Sequence, residues 1–139
     1  MRPISKIIIH CAATRPDQDI GVKEIRTWHH KRGWLDIGYH AVIRRTGLIE
    51  FGRPTRTVGA HVRGHNEGSL GICLVGGYGS SPDDQFSDHF TDQQKVMLIG
   101  LIKGLQLALP YATIHGHNEF ADKACPGFRV GEWLEEVGL

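Results

Sequence analysis

With 139 residues, 40% of them hydrophobic and 22% charged, the chain has an ordinary globular composition and enough material for one core. A formal net charge of +1 argues against a nucleic-acid binder or a protein held to membranes by basic charge, since both need a clear basic excess. No apolar run approaches the ~20 residues of a membrane span, and the start, Met-Arg-Pro-Ile-Ser-Lys, lacks a signal-peptide apolar region, so a protein folded in a cytoplasm without stable membrane insertion is expected.

Elements follow in alternation. Lys6–Cys11 is a β-branched run, the mark of a buried central strand. After the polar turn Asp17–Gly21, the spacing predicts a helix over Val22–Arg32, with Val22, Ile25 and either Trp28 or His29 on one face and Gly33 as its stop. Gly38–Arg45 and Leu48–Phe51 flank Thr46-Gly47 and read as a hairpin. Gly52–Glu67 is a long loop rich in Gly, Arg and His, of a kind that often carries function. Ser69–Val75 is a second buried strand, and Gly76–Phe90 a second long loop.

Thr91-Asp-Gln-Gln94 is a capping-box start for a helix reaching about Leu109, with Leu98, Leu101, Ile102, Leu105 and Leu109 as its core stripe. Gly100 and Gly104 form a G-x-x-x-G, read as a site of close packing. A short strand over Ala112–His115 and a last helix near Arg129–Val137 complete the order β-α-β-β-β-α-β-α. That order implies an α/β single domain over 1–139, with a central mixed β-sheet flanked by about three helices.

Cys11, Cys73 and Cys125 form an odd, sparse set without C-x-x-C spacing, which leaves a zinc ribbon, a thioredoxin-type site and a disulfide framework unsupported. The densest chemistry lies in His115–Gly127, where two imidazoles, a carboxylate, an ammonium and a thiol fall within thirteen residues. Histidine and cysteine are preferred zinc ligands, and a catalytic zinc takes three protein ligands plus an open position. This segment can supply Cys125 and one imidazole, His115 or His117. His10, at the C-terminal end of the first buried strand, is the best third donor, because sites in open α/β sheets gather at strand ends. Alternation turns Cys11 away from His10, so Cys11 reads as a core thiol, as does Cys73. Lys123, two residues before the thiol, would repel a metal, which points to a substrate that becomes negative during reaction.

Five segments carry a more specific signal: His10-Cys-Ala-Ala-Thr14, Gly21-Val-Lys-Glu-Ile-Arg-Thr-Trp-His29, Gly33-Trp-Leu-Asp-Ile-Gly-Tyr-His40, Gly71-Ile-Cys-Leu-Val-Gly-Gly77 and Lys123-Ala-Cys-Pro126. In this order, and over nearly the whole chain, they resemble the zinc-dependent N-acetylmuramoyl-L-alanine amidases, specifically the phage endolysin branch. The peptidoglycan recognition proteins share that fold. The resemblance implies hydrolysis of the amide between N-acetylmuramic acid and L-alanine in peptidoglycan, with one Zn2+ per chain. It favours His117 over His115, because the family's second ligand lies six residues before the lysine of Lys-Ala-Cys. His10, His117 and Cys125 then match the zinc ligands, and Tyr39 and Lys123 the two catalytic non-ligands. Lys123 would stabilise the oxyanion, and Tyr39 would orient the attacking water or exchange a proton with it. His61 and Asn66 match positions lining the substrate groove.

Other histidines read more plainly. His115 is expected near the site, Glu119 either orients a ligand histidine or caps a turn, and His40 alternates away from Tyr39. His29, His30 and His89 read as surface residues, and Arg63 and His65 as solvated loop. The expected life history is that of an endolysin: a monomer held in the host cytoplasm until a holin opens the membrane, then acting on the wall in the periplasm. A single domain without a separate wall-binding module is expected, which suits thin walls. An RNA polymerase partner, taken by one member of the branch, is not expected, because the N-terminal extension of that relative is missing here. The alternative function is a non-catalytic peptidoglycan-binding or regulatory protein of the same fold, though such relatives typically lose the cysteine ligand.

Overall fold

In the computed structural model, which describes residues 2–139, five strands form one sheet. They are β1 (Lys6–Cys11), β2 (Ala41–Ile43), β3 (Ile49–Phe51), β4 (Ser69–Leu74) and β5 (Thr113–Gly116). Their order across the sheet is β3-β2-β4-β1-β5. Three of the four pairings are parallel, and the edge strand β3 runs antiparallel to β2 across the hairpin. The β-branched run of β1 is central because parallel strands are covered on both faces, and only such sequences bury both sides without stranding polar groups.

Helices cover those faces. Ile7, Ile9, Cys11, Ala41, Ile43, Ile72 and Leu74 point to one side, against α3 (Asp92–Ala108) and α4 (Val130–Glu136). Val42, Cys73 and Val75 point to the other, against Val22 and Ile25 of α1 (Val22–Lys31). The start of α3 follows the capping box: Gln94 N donates to Thr91 Oγ1 at 3.1 Å, and Thr91 N to Gln94 Oε1 at 2.9 Å. Gln94 does more than cap. Fully buried, it donates through Nε2 to the carbonyls of Ile43 and Val75 and so fastens the helix to the ends of β2 and β4.

Several expectations change. The second long loop contains a fourth helix, the single turn α2 (Phe86–His89). Asp88 accepts from Gln85 N at 2.8 Å, and Phe86 is buried among Phe90, Phe128 and Trp133, so a local cap and an aromatic anchor order a segment that lacks periodicity. Gly100 and Gly104 pack against nothing, since a Cβ on either would meet open space. The ladder extends upstream of Ala41 through His40, which donates to the Gly71 carbonyl and accepts from Gly52 N, and turns irregular at Tyr39, whose carbonyl takes the very next amide, Arg53 N. Alternation therefore fails at Tyr39, which packs on the same face as Val42, and the His40 ring lies buried 5.9 Å from that of His61.

His29, rather than Trp28, completes the buried face of α1. Its Nδ1 accepts from Gly38 N at 2.8 Å, and its ring packs on Trp34 and Tyr39. His89 is also largely covered and pairs with Asp84 at 2.8 Å. Among the described residues, no helix is long and apolar enough to cross a membrane.

Candidate active site

The site forms where β1 and β5 end side by side. Their parallel register sets Ile9 opposite Gly116, so His10 and His117, each one residue further on, emerge together with ring centroids 4.7 Å apart. His117 opens a short 3-10 turn (His117–Glu119) that lifts it off the sheet. Asn118 in that turn donates through Nδ2 to the carbonyls of Ala124 and Phe128, which holds the loop bearing Cys125 against it. Cys125 Sγ accepts from Cys11 N at 3.2 Å and lies 3.9 Å from His10 Nδ1. Ligand atoms of His10, His117 and Cys125 all lie within 4.8 Å of one another.

The charge states of these groups suit a cation. Burial, then the neighbouring His61, His117 and Lys123, push His10 well below the usual imidazole value; burial and Lys123 lower His117. Both rings are therefore neutral and offer lone pairs. The hydrogen bond with the Cys11 thiol, together with burial, holds the Cys125 thiol protonated above its ordinary range. A metal is the kind of partner that would draw that proton off, because only a nearby positive charge stabilises a buried thiolate. Two neutral imidazoles and one thiol converging at a single point fit zinc chemistry.

Other residues surround the three. The Tyr39 ring lies 5.1 Å from that of His10, and burial raises its phenol well above the usual value, so it remains an O–H donor. His61 Nδ1 lies 2.8 Å from His10 Nε2, and burial together with His40 lowers the His61 pKa to about 3. A cleft of about 790 Å³ opens above, lined by Tyr39, His61, Asn66, His117 and Lys123, and by His29, Arg32, Trp34, Arg63 and Phe120. The sequence thus brings every candidate site residue to one place.

Neighbours expected at the site sort differently. His115 engages Thr113 and Glu119 rather than the ligand cluster, and Glu119 caps the 3-10 turn by accepting from Gly116 N at 2.7 Å. Cys11 belongs to the core, as expected, yet its backbone N–H also anchors the Cys125 sulfur.

A family model described as N-acetylmuramoyl-L-alanine amidase matches residues 1–128. The chain belongs to the N-acetylmuramoyl-L-alanine amidase family. The amidase is 44% identical over 131 residues to the endolysin of Enterobacteria phage K11, covering 94% of this chain and 85% of that one. It is likewise 44% identical over 135 residues to the endolysin of Escherichia phage T7, covering 96% and 87%. Among solved structures it superposes on the N-acetylmuramoyl-L-alanine amidase LysC from Clostridium intestinale with a TM-score of 0.81 at 27% identity, covering 99% of this chain and 87% of that chain.

Reasoning from the sequence alone missed part of the amidase's cleft. Arg32 and Trp34 follow α1 and lie close together, with the guanidinium carbon 5.8 Å from the indole centroid. Phe120 packs between His65 and His115 at 4.6 and 5.3 Å. A tryptophan two residues after an arginine, just past the end of a helix, is the signal that could have found the first pair.

Proposed function

We propose that this amidase acts as a zinc-dependent phage endolysin, hydrolysing the bond between the lactyl group of N-acetylmuramic acid and L-alanine. The observation that carries this reading is the convergence of His10, His117 and Cys125 at one end of a cleft that holds three basic side chains, Arg32, Arg63 and Lys123, and no carboxylate. Muropeptide carries carboxylates and amides, so a basic cleft with Asn66 and aromatic walls suits it. When bound, zinc supplies Lewis acidity toward a water nucleophile and toward the scissile carbonyl.

The chain's own groups do the rest. Lys123 presents an ammonium where the carbonyl oxygen gains charge as water adds to the carbon. Tyr39, kept protonated by burial, orients that water through its phenolic oxygen and can pass a proton there. The C–N bond then breaks, the lactyl group leaves as a carboxylate, and L-alanine leaves as an amine that has gained a proton. Asn66 lines the groove with its Nδ2 free, because its Oδ1 already accepts from the His61 and Val62 amides. We assign the cytoplasm as the place of storage before holin-dependent release, and the wall as the place of action.

The test is digestion of purified peptidoglycan with and without a chelator, counting new reducing sugars against freed L-alanine amino groups. Amino groups should appear and reducing ends should not, and the chelator should stop the release. New reducing ends would sink the amidase reading, and chelator-resistant release would sink the zinc reading.

A further inference from the structure

We propose that His61 is a positioning residue for His10, the middle link of a relay from Ser69 that fixes which ring nitrogen of His10 carries the proton. The inference rests on the metal reading given above and adds to it how one donor is prepared.

Three hydrogen bonds define the relay. His10 Nε2 and His61 Nδ1 are 2.8 Å apart, so one of the two carries a proton and the other receives it. His61 Nε2 lies 3.2 Å from Ser69 Oγ. That hydroxyl is also 2.7 Å from the His65 carbonyl and 3.0 Å from the Asn66 carbonyl. Carbonyls only accept, so the single hydroxyl hydrogen goes to one of them. The Ser69 oxygen is left to accept from His61 Nε2–H. A neutral imidazole has one N–H, so His61 Nδ1 is bare and receives the proton of His10 Nε2. By the same count His10 Nδ1 is bare, and that is the nitrogen facing Cys125 Sγ. The opposite assignment would aim two carbonyls at unprotonated oxygen and set a proton on His10 Nδ1, in the midst of the donor atoms.

The relay is built in rather than incidental. Ser69 is completely buried at the start of β4, one strand away from His10. Asn66 Oδ1 grips the backbone on both sides of the His61 Cα, accepting from the His61 and Val62 amides at 2.8 Å each. Glycine at 71 and at 59 leaves room for the ring: a Cβ at either would come within 2.7 Å of an atom of the His61 imidazole. With both ring nitrogens occupied, His61 lines the cleft without a free polar atom to offer substrate.

The deciding measurement is a long-range nitrogen–proton correlation spectrum of the histidine rings in 15N-labelled, zinc-loaded protein. His10 should bind through Nδ1 and keep its proton on Nε2, and His61 should carry its proton on Nε2. Zinc affinity, read by competition with a chelating dye, should fall about 10–100-fold in His61→Phe, the range found when partners of a metal-binding histidine are removed. It should fall less in Ser69→Ala and recover in His61→Gln, whose amide oxygen can receive the His10 proton. Binding of His10 through Nε2, or wild-type affinity in a folded His61→Phe protein, would overturn the relay and leave the zinc reading standing. If His61→Phe does not fold, the wild-type spectrum decides alone. Failure of the wild-type protein to take up zinc at all would overturn both.

Discussion

On one face of the sheet, α3 and α4 pack against Ile7, Ile9, Ile43, Ile72 and Leu74, with Phe86, Phe90, Phe128 and Trp133 filling the far end. On the other, Val22, Ile25, Val42, Cys73 and Val75 share the space with His10, His29, His40 and His61. The first face can stabilise simply by excluding water, at roughly 25 cal/mol per Å² of apolar surface. The second carries imidazoles that must each find partners, because a buried polar group left unpaired costs about 1–3 kcal/mol. His29 takes Gly38 N, His40 takes Gly71 N and the Thr57 carbonyl, and His61 takes Ser69. One face is therefore replaceable by anything apolar of the right shape, while the other admits few substitutions without changing the chemistry.

That contrast can be broken from either side. Trp133→Ala should have the largest effect on stability, about 3–5 kcal/mol, because the indole is buried and stacked 5.2 Å from Phe86. Urea unfolding would measure it, and kcat per folded molecule should stay unchanged; a fall in kcat would mean that the two faces are not separable. Lys123→Ala should do the reverse. It should lower kcat by an amount equivalent to about 3–4 kcal/mol of barrier while zinc content and melting temperature hold. Loss of bound zinc in that variant would deny the lysine its separate role.

Acid should weaken the histidine face next. Burial lowers the His29 pKa to about 4, so the folded protein refuses a proton that the unfolded chain accepts below about 6.5. The His29 contribution is fully present above the unfolded value and is lost as pH falls from there through about 4. His29→Gln, able to accept from Gly38 N, should lose less stability than wild type between pH 7.5 and pH 4, with the other histidines that burial lowers, His10, His40, His61 and His117, contributing to the remainder. Identical pH profiles would refute a neutral, buried His29. The smallest effect lies on the exposed side of α3, where Gly100→Ala should raise stability by about 0.5–1 kcal/mol because helix propensity is gained and nothing is struck. A destabilised variant would reveal packing at that position.

What the chain discloses on reading follows the range of the interaction. The run Lys6–Cys11, the strand from Ser69 and the cap at Thr91 depend on neighbours a few residues away, and all three are legible. The turn at Phe86 is not, because its anchor Trp133 lies elsewhere in the chain and no periodicity announces it. Residue types near Cys125 suggest a metal, but the choice of His117 over His115 came from resemblance. Its physical cause, the register of β5 on β1, is absent from any local window. The pairing of His61 with His10 spans 51 positions and depends on a serine hydroxyl orientation that no motif encodes.

The adjacency of β1 and β5 has a consequence for timing. His10 belongs to β1, the first strand of the sheet in sequence order, and His117 and Cys125 follow β5, the last, so the donor set cannot exist until β5 has docked beside β1. A metal held there would tie segments more than 100 residues apart to one another, and ligand binding confined to the folded state stabilises that state by mass action. The donor set is thus a property of the assembled sheet, and an ion bound there would also clasp β1 to β5.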